Sequence, residues 1–293
     1  MARFIDPRVD WAFKRIFGSE DTKECLITFL NGLFEDELVI KDVTFAKTEK
    51  LGLRPDDRGV VFDVYCITNE GKHVIVEMQK KEQEYFADRA LYYTARAIVQ
   101  QGIRGIWDYH LAPVYTVCFM DFVSQSPILK EFRTDLVLTD LQTRQRVSDR
   151  MRIVYLQLPL FDKHTEAECM DIFDCWIYIV KNMNMFEQMP FSEKYPVFRK
   201  LAEIGDLRKL SREELELYDE DIKNMRDIYA TRKFDEKKGM EIGMAKGMEK
   251  GMAKGIEKEK IATAYRLLSM GLSDEQVSTA TELPLEEIQK MKE

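Results

Sequence analysis

Two acidic residues lie inside otherwise apolar, strand-forming runs: Asp63 in Val60-Val61-Phe62-Asp63-Val64-Tyr65-Cys66-Ile67-Thr68, and Glu77 in Val74-Ile75-Val76-Glu77-Met78-Gln79. Between them stands Asn69-Glu70-Gly71, and a three-residue loop with glycine last suits a type I turn followed by a left-handed bulge residue. That register pairs residues whose numbers sum to about 140. It sets Asp63 opposite Glu77 on one face, roughly 5 Å apart at Cβ, and points Gln79 to the same side. Two dry, unpaired carboxylates so placed repel by several kcal/mol. A divalent cation removes the conflict: magnesium takes one or two carboxylates, completes its shell with water and phosphate oxygens, and lowers the pKa of a bound water. The competing arrangement is a wet sheet edge, or an arginine partner for one of the acids.

The elements around this hairpin read as mixed α/β. Asp6-Pro7 has the form of a helix start and Gly18 of a stop, with Val9, Phe13, Ile16 and Phe17 forming one apolar stripe. A second helix follows from Ser19, carries Leu26, Phe29 and Leu30, and closes at Asn31-Gly32. Strands are expected over 38–46, 59–68, 73–79, 114–119 and 153–158, with a long helix over 82–101. After Pro159 the pattern turns helical, over 165–183, 196–203 and 211–231, the last opened by the capping box Ser211 and Glu214.

Composition narrows the chemistry. The chain has 293 residues, 44 basic and 52 acidic, for a net charge of −8, which argues against non-specific coating of nucleic acid but leaves room for a local basic cleft. Three histidines, His73, His110 and His164, exclude a His-rich metal site, so a hydrolase must run on carboxylates. Five cysteines without C-x-x-C spacing read as reduced core thiols. With no apolar leader and no stretch of membrane-spanning length, the expectation is a cytoplasmic protein without a membrane partner.

Together with the opening Asp10-Trp11-Ala12-Phe13-Lys14-Arg15-Ile16-Phe17-Gly18, the strand aspartate, the hairpin and Glu77-Met78-Gln79 resemble the recombination-promoting nuclease (Rpn) family, a transposase-labelled branch of the PD-(D/E)XK nuclease superfamily. The resemblance runs roughly over residues 3–255. It implies a restriction-endonuclease-like core, a mixed sheet flanked by helices, with a helical C-terminal extension. The implied activity is Mg2+- or Mn2+-dependent DNA cleavage linked to recombination or mobile elements. Asp63 and Glu77 resemble the metal-binding acids, and Gln79 stands where most of the superfamily has lysine, a departure the Rpn branch shares; it can position the attacking water but supplies no positive charge. The missing positive charge must come from Lys80, which alternation turns to the other face unless the strand ends there, from Lys14, or from a second metal ion. Asp10 resembles a first-helix acid that completes related sites, and it equally suits an i, i+4 ion pair with Lys14. Arg89 and Tyr93, one turn apart with Arg96 and Gln100 beyond, can line a DNA cleft or simply pack. Pro55-Asp56 spells the superfamily dipeptide but reads as a loop coincidence. The competing function is a weakly active or inert DNA-binding regulatory module, motivated by the change of lysine to glutamine.

Glycine recurs every four residues at Gly239, Gly243, Gly247, Gly251 and Gly255. In a helix these cost about 1 kcal/mol each relative to alanine, so either the segment is a flexible linker or close approach of another helix offsets the cost. Self-association through 238–260, giving a homo-oligomer, is the expectation. The resulting domain reading is a nuclease-like domain over 1–160, a helical subdomain over 161–235, the glycine-every-four helix over 236–260, and a small helix-turn-helix-like tail over 261–293. The third helix of that tail is too acidic to suit DNA recognition, so protein contact or capping fits it better.

Overall fold

The computed structural model describes residues 3–50, 59–103 and 105–291, so Pro55-Asp56 lies outside the described residues. The chain divides into two compact units, Met1–Lys223 and Asn224–Glu293. The first unit opens with α1 (Asp10–Phe17) and α2 (Lys23–Phe34), followed by β1 (Val43–Phe45), β2 (Glu49–Lys50), β3 (Val60–Val61), β4 (Val64–Thr68) and β5 (His73–Gln79). Then come α3 (Phe86–Val99), β6 (Val114–Met120), β7 (Arg133–Thr139), β8 (Arg146–Gln157), α4 (Ile172–Asn182) and α5 (Pro196–Gly205). Six strands form one sheet in the order β1-β4-β5-β6-β8-β7, and β2 pairs separately with β3. Strands β5, β6 and β8 run parallel at the centre, and antiparallel partners flank them. The mixed α/β architecture is the one expected.

Strand alternation explains how the layers form. Along β6, Cys118 and Met120 face Phe86 and Ala90 of α3 together with Ile153 and Tyr155, and Thr116 on the same side hydrogen bonds Thr94 at 2.7 Å. The alternate residue Phe119 meets Phe13, Phe17 and Phe29 from α1 and α2, with ring centroids 5.7, 6.2 and 5.0 Å away. Trp176 of α4 closes this aromatic layer against Phe17, Phe29 and Phe198. Strands buried on both faces require near-continuous apolar runs, and β5 and β6 have them. On β5, Ile75 lies on the α3 side in a cluster with Phe62, Tyr65 and Ala97, so period-two alternation sends Glu77 and Gln79 to that side as well.

Several boundaries differ from the sequence reading. Helix α1 begins at Asp10, not at Pro7, because the Asp6 carboxylate is taken by the Arg8 amide and guanidinium at 2.7–3.0 Å and by Asn184 at 3.1 Å. Helix α2 runs through Asn31-Gly32 to Phe34. Asn31 holds both backbone groups of Ile40, at 2.9 and 2.7 Å, which removes them from any ladder and shortens the expected 38–46 strand to Val43–Phe45. Gly32 is a packing glycine: a Cβ there would lie 2.9 Å from Ile172 Cγ2 and 3.1 Å from the Phe173 nitrogen. The expected 59–68 strand breaks at Phe62-Asp63, where the chain leaves β2 for β1 and β5. Strand β7 and the first half of β8 lack a strand signature in the sequence because both carry charged residues, and β7 is an edge strand.

Helix α6 (Arg212–Ser269) starts in the first unit with the expected capping box, Ser211 and Glu214 exchanging bonds of 2.7 and 3.2 Å. The helical assignment continues through all five ladder glycines. In the second unit, α7 (Asp274–Thr281) and α8 (Leu285–Lys290) fold on the end of α6 around Ala264, Val277, Leu283 and Ile288. Gly271 takes φ of +88°, and Ser273 and Gln276 cap α7 reciprocally. All five cysteines are buried and unpaired. Among the described residues no helix is long and apolar enough to cross a membrane.

Candidate active site

The hairpin between β4 and β5 has the expected register, Val64 facing Val76, Tyr65 facing Ile75, Cys66 facing Val74 and Ile67 facing His73. Gly71, with φ of +77°, supplies the left-handed residue, and the Gly71 amide donates to the Thr68 carbonyl at 2.8 Å. One step beyond the ladder, Asp63 and Glu77 meet. The Asp63 amide donates to Glu77 Oε1 at 3.2 Å, and the Met78 amide donates to Asp63 Oδ2 at 2.8 Å. Each acid is therefore tied to the opposite strand by one oxygen. Asp63 sits in the bend, half-buried, and Glu77 is buried within β5.

Electrostatically the pair is uncomfortable. Burial raises the Asp63 carboxyl above the usual range and the Asp10 charge adds to this, while the Met78 hydrogen bond and the charges of Lys14 and Arg89 oppose it. Glu77 is pushed well above its usual range by burial first and by Asp63 second, against the opposing fields of Arg89 and Lys14. No ion pair to either acid occurs among the described residues, whereas Asp10 and Asp121 each have one. The donor set is hard oxygen at the end of a rigid central strand, which fits a divalent cation of the magnesium or manganese type. The described residues bring no third His, Cys, Asp or Glu into such a cluster. Two protein carboxylates suffice for an ion that retains water and binds phosphate oxygens.

Asp10 makes the i, i+4 ion pair with Lys14 at 2.8 Å, and reaches Asp63 through its field alone. Burial disfavours the Lys14 charge, but the Asp10 hydrogen bond and the fields of Asp10, Asp63 and Asp221 outweigh it, so its pKa is raised. Beside α1 a cleft of about 370 Å³ is lined by Asp10, Trp11 and Lys14 and, from the start of α6, by Leu217 and Asp221. Asp221 also accepts from the Trp11 amide at 2.8 Å, fixing α6 against the first turn of α1. Sequence reading missed this contribution from α6, since nothing local distinguishes Asp221 from the other acids of its helix.

Gln79 is buried, and both ends of its carboxamide are engaged: Oε1 accepts from Arg89 Nη2, and Nε2 donates to the Lys81 carbonyl at 2.9 Å. Arg89 also donates to Gln83 at 2.8 Å and lies 5.5 Å from the Tyr93 ring centroid. Tyr93 itself packs edge-on against Phe62 at 5.5 Å, so its role includes holding the bend next to Asp63. Strand β5 ends at Gln79, so alternation does not extend to Lys80, whose charge acts on Asp121. Arg96 is buried in the last turn of α3. Thus Asp63, Glu77, Gln79 and Arg89 are brought together, Asp10 and Lys14 stand at the rim, and Lys80 does not join them.

A mixed sheet with parallel centre strands, flanked by helices, is the fold of a PD-(D/E)XK nuclease core. The chain belongs to the PD-(D/E)XK nuclease family transposases, whose family model matches residues 7–233. The matched region contains every site residue named above and ends before the glycine ladder. No curated protein and no solved structure matches the chain.

Proposed function

We propose that the protein is a metal-dependent DNA endonuclease that hydrolyses phosphodiester bonds in the setting of recombination or mobile elements. The observation that carries this reading is the interlocked pair Asp63 and Glu77, two carboxylates set side by side at the end of β5 without an ion-pair partner among the described residues, with pKa values raised first by burial and then by neighbouring acids. Asp63 and Glu77 would hold Mg2+ or Mn2+, and when bound such an ion neutralises phosphate charge and makes a water nucleophilic near neutral pH. The chain's own residues supply a rigid strand end, carboxylates that draw the cation in, and positive charge from Lys14 and Arg89 for the DNA backbone, with Tyr93 bracing the bend and Lys80 contacting flanking phosphates. Asp10 tempers the charge of Lys14.

In this reading residues 1–160 carry the chemistry and 161–235 support it. Residues 238–260 would join copies into a homo-oligomer, and 261–293 would serve protein contact. The unpaired buried cysteines support a reducing, cytoplasmic setting. Purified protein should nick supercoiled plasmid with Mg2+ or Mn2+ and not with EDTA, and Asp63→Ala should abolish nicking. Equal cleavage by Asp63→Ala would overturn the assignment. The glutamine at the lysine position favours one rival, a DNA-binding regulatory module, which predicts metal and DNA binding by wild type without any cleavage.

A further inference from the structure

We infer that Arg89, held in place by Gln79, supplies the positive charge at the scissile phosphate that a lysine beside the metal site would otherwise provide. The inference rests on the nuclease reading and deepens it by assigning separate roles to Gln79 and Arg89. A glutamine carries no charge, so the site needs a cation from elsewhere, and three basic side chains lie near enough to be weighed. Lys80 lies just past the end of β5, where its charge acts on Asp121. Lys14 is bound to a carboxylate, Asp10, at 2.8 Å, so its charge is largely compensated. Arg89 differs from both in its hydrogen-bond partners, the two neutral carboxamides of Gln79 and Gln83, and its field, like that of Lys14, reaches both Asp63 and Glu77.

The geometry also sets the stoichiometry of contacts. A guanidinium has five N–H donors. Two are spent on Gln79 and Gln83, which leaves three for a phosphate, enough for the paired contacts that arginine makes with planar or tetrahedral oxyanions. The rings of Phe86 and Tyr93, 5.9 and 5.5 Å from the guanidinium carbon, restrict its swing. Gln79 is buried and anchored from behind by the Lys81 carbonyl, so it is a positioning residue acting through Arg89. In hydrolysis a water oxygen joins phosphorus as the bond to the departing sugar oxygen breaks. The water loses one proton to solvent and the departing oxygen takes one up. Charge on the non-bridging oxygens grows during this exchange, and Arg89 stabilises it.

Full-length wild type, Arg89→Ala, Arg89→Lys, Gln79→Ala and the double variant Gln79→Lys/Arg89→Ala should be compared in single-turnover plasmid nicking. Calorimetric Mn2+ titration and thermal melts run alongside. Arg89→Ala should lose about 10²–10³-fold in rate, as removal of one charge-stabilising donor does, while Mn2+ affinity is unchanged or tighter. Arg89→Lys should recover part of the loss, and Gln79→Ala should lose about tenfold. The double variant, which returns a lysine to the strand, should recover most of the Arg89→Ala defect, and added guanidinium ion should rescue Arg89→Ala in part. Wild-type-like nicking by Arg89→Ala overturns the inference alone. So does a loss of rate that neither the double variant nor guanidinium restores, or that follows a loss of Mn2+ binding. No cleavage by wild type overturns the nuclease reading and this inference with it.

Discussion

The Asp63 amide donates to the Glu77 carboxylate at 3.2 Å across the end of the hairpin ladder, so the two acids of the site constrain one another through backbone as well as charge. A buried carboxylate held beside another carboxylate costs stability whenever both are ionised. Glu77→Gln keeps an oxygen for the Asp63 amide and removes one charge. In metal-free buffer near neutral pH this variant should melt higher than wild type, by roughly 2–4 °C for each 1 kcal/mol relieved in a domain of this size. Differential scanning calorimetry in EDTA checks it, and a lower melting temperature would mean that the pair is not repulsive.

The pH dependence follows from the same shifts. Both folded-state pKa values are raised, so the stability the pair contributes is fully present below the unfolded carboxylate range, near 4, and is lost as pH rises through the folded values. Metal-free wild type should therefore lose stability more steeply than Glu77→Gln as pH rises above the unfolded carboxylate range. Divalent metal needs the deprotonated carboxylates, so binding should release protons and tighten as pH rises. Calorimetric Mn2+ titrations in buffers of differing ionisation enthalpy read the proton release directly, and a binding heat independent of buffer would contradict the raised pKa values.

How much of this site was legible in the sequence follows from the range of the forces involved. The hairpin register was readable because glycine at the third loop position fixes the turn, and Gly71 does adopt positive φ. The pairing of Asp63 with Glu77 came with it. Expecting Asp63 within a continuous strand was wrong because the break at Phe62-Asp63 depends on β2, and the Phe62 amide donates to the Thr48 carbonyl at 3.0 Å. The link between Gln79 and Arg89 spans ten residues and two elements. Its signal was present as a buried-strand glutamine followed by a helix with arginine near its first turn, but no local pattern specifies that the two side chains meet.

Gly32 departs from its sequence pattern for a related reason. In sequence, Asn31-Gly32 has the form of a helix end, yet the glycine is needed for the approach of α2 to α4, where an added Cβ would lie 2.9 Å from Ile172 Cγ2 and 3.1 Å from backbone of Phe173. A backbone neighbour cannot swing aside as a flexible side chain can. Gly32→Val should therefore cost about 1–3 kcal/mol through overpacking, offset in part by the better helix propensity of valine over glycine. Urea unfolding checks this, and a stability gain would show that α2 and α4 can separate freely.

The ladder glycines face the opposite situation. A Cβ at Gly239, Gly243, Gly247, Gly251 or Gly255 would meet nothing within 4 Å among the described residues, and Met240, Met244, Met248 and Met252 beside them are 63–73% exposed. Packing within one chain therefore gives no reason for residues that each cost about 1 kcal/mol in a helix. If self-association supplies the reason, replacing Gly243, Gly247 and Gly251 with alanine should raise helicity, because alanine is the better helix former, and at the same time weaken the oligomer, because three methyl groups intrude between the helices. Circular dichroism and analytical ultracentrifugation of the full-length triple variant separate the two effects. Higher helicity with an unchanged sedimentation coefficient would show that the ladder does not join copies of this chain.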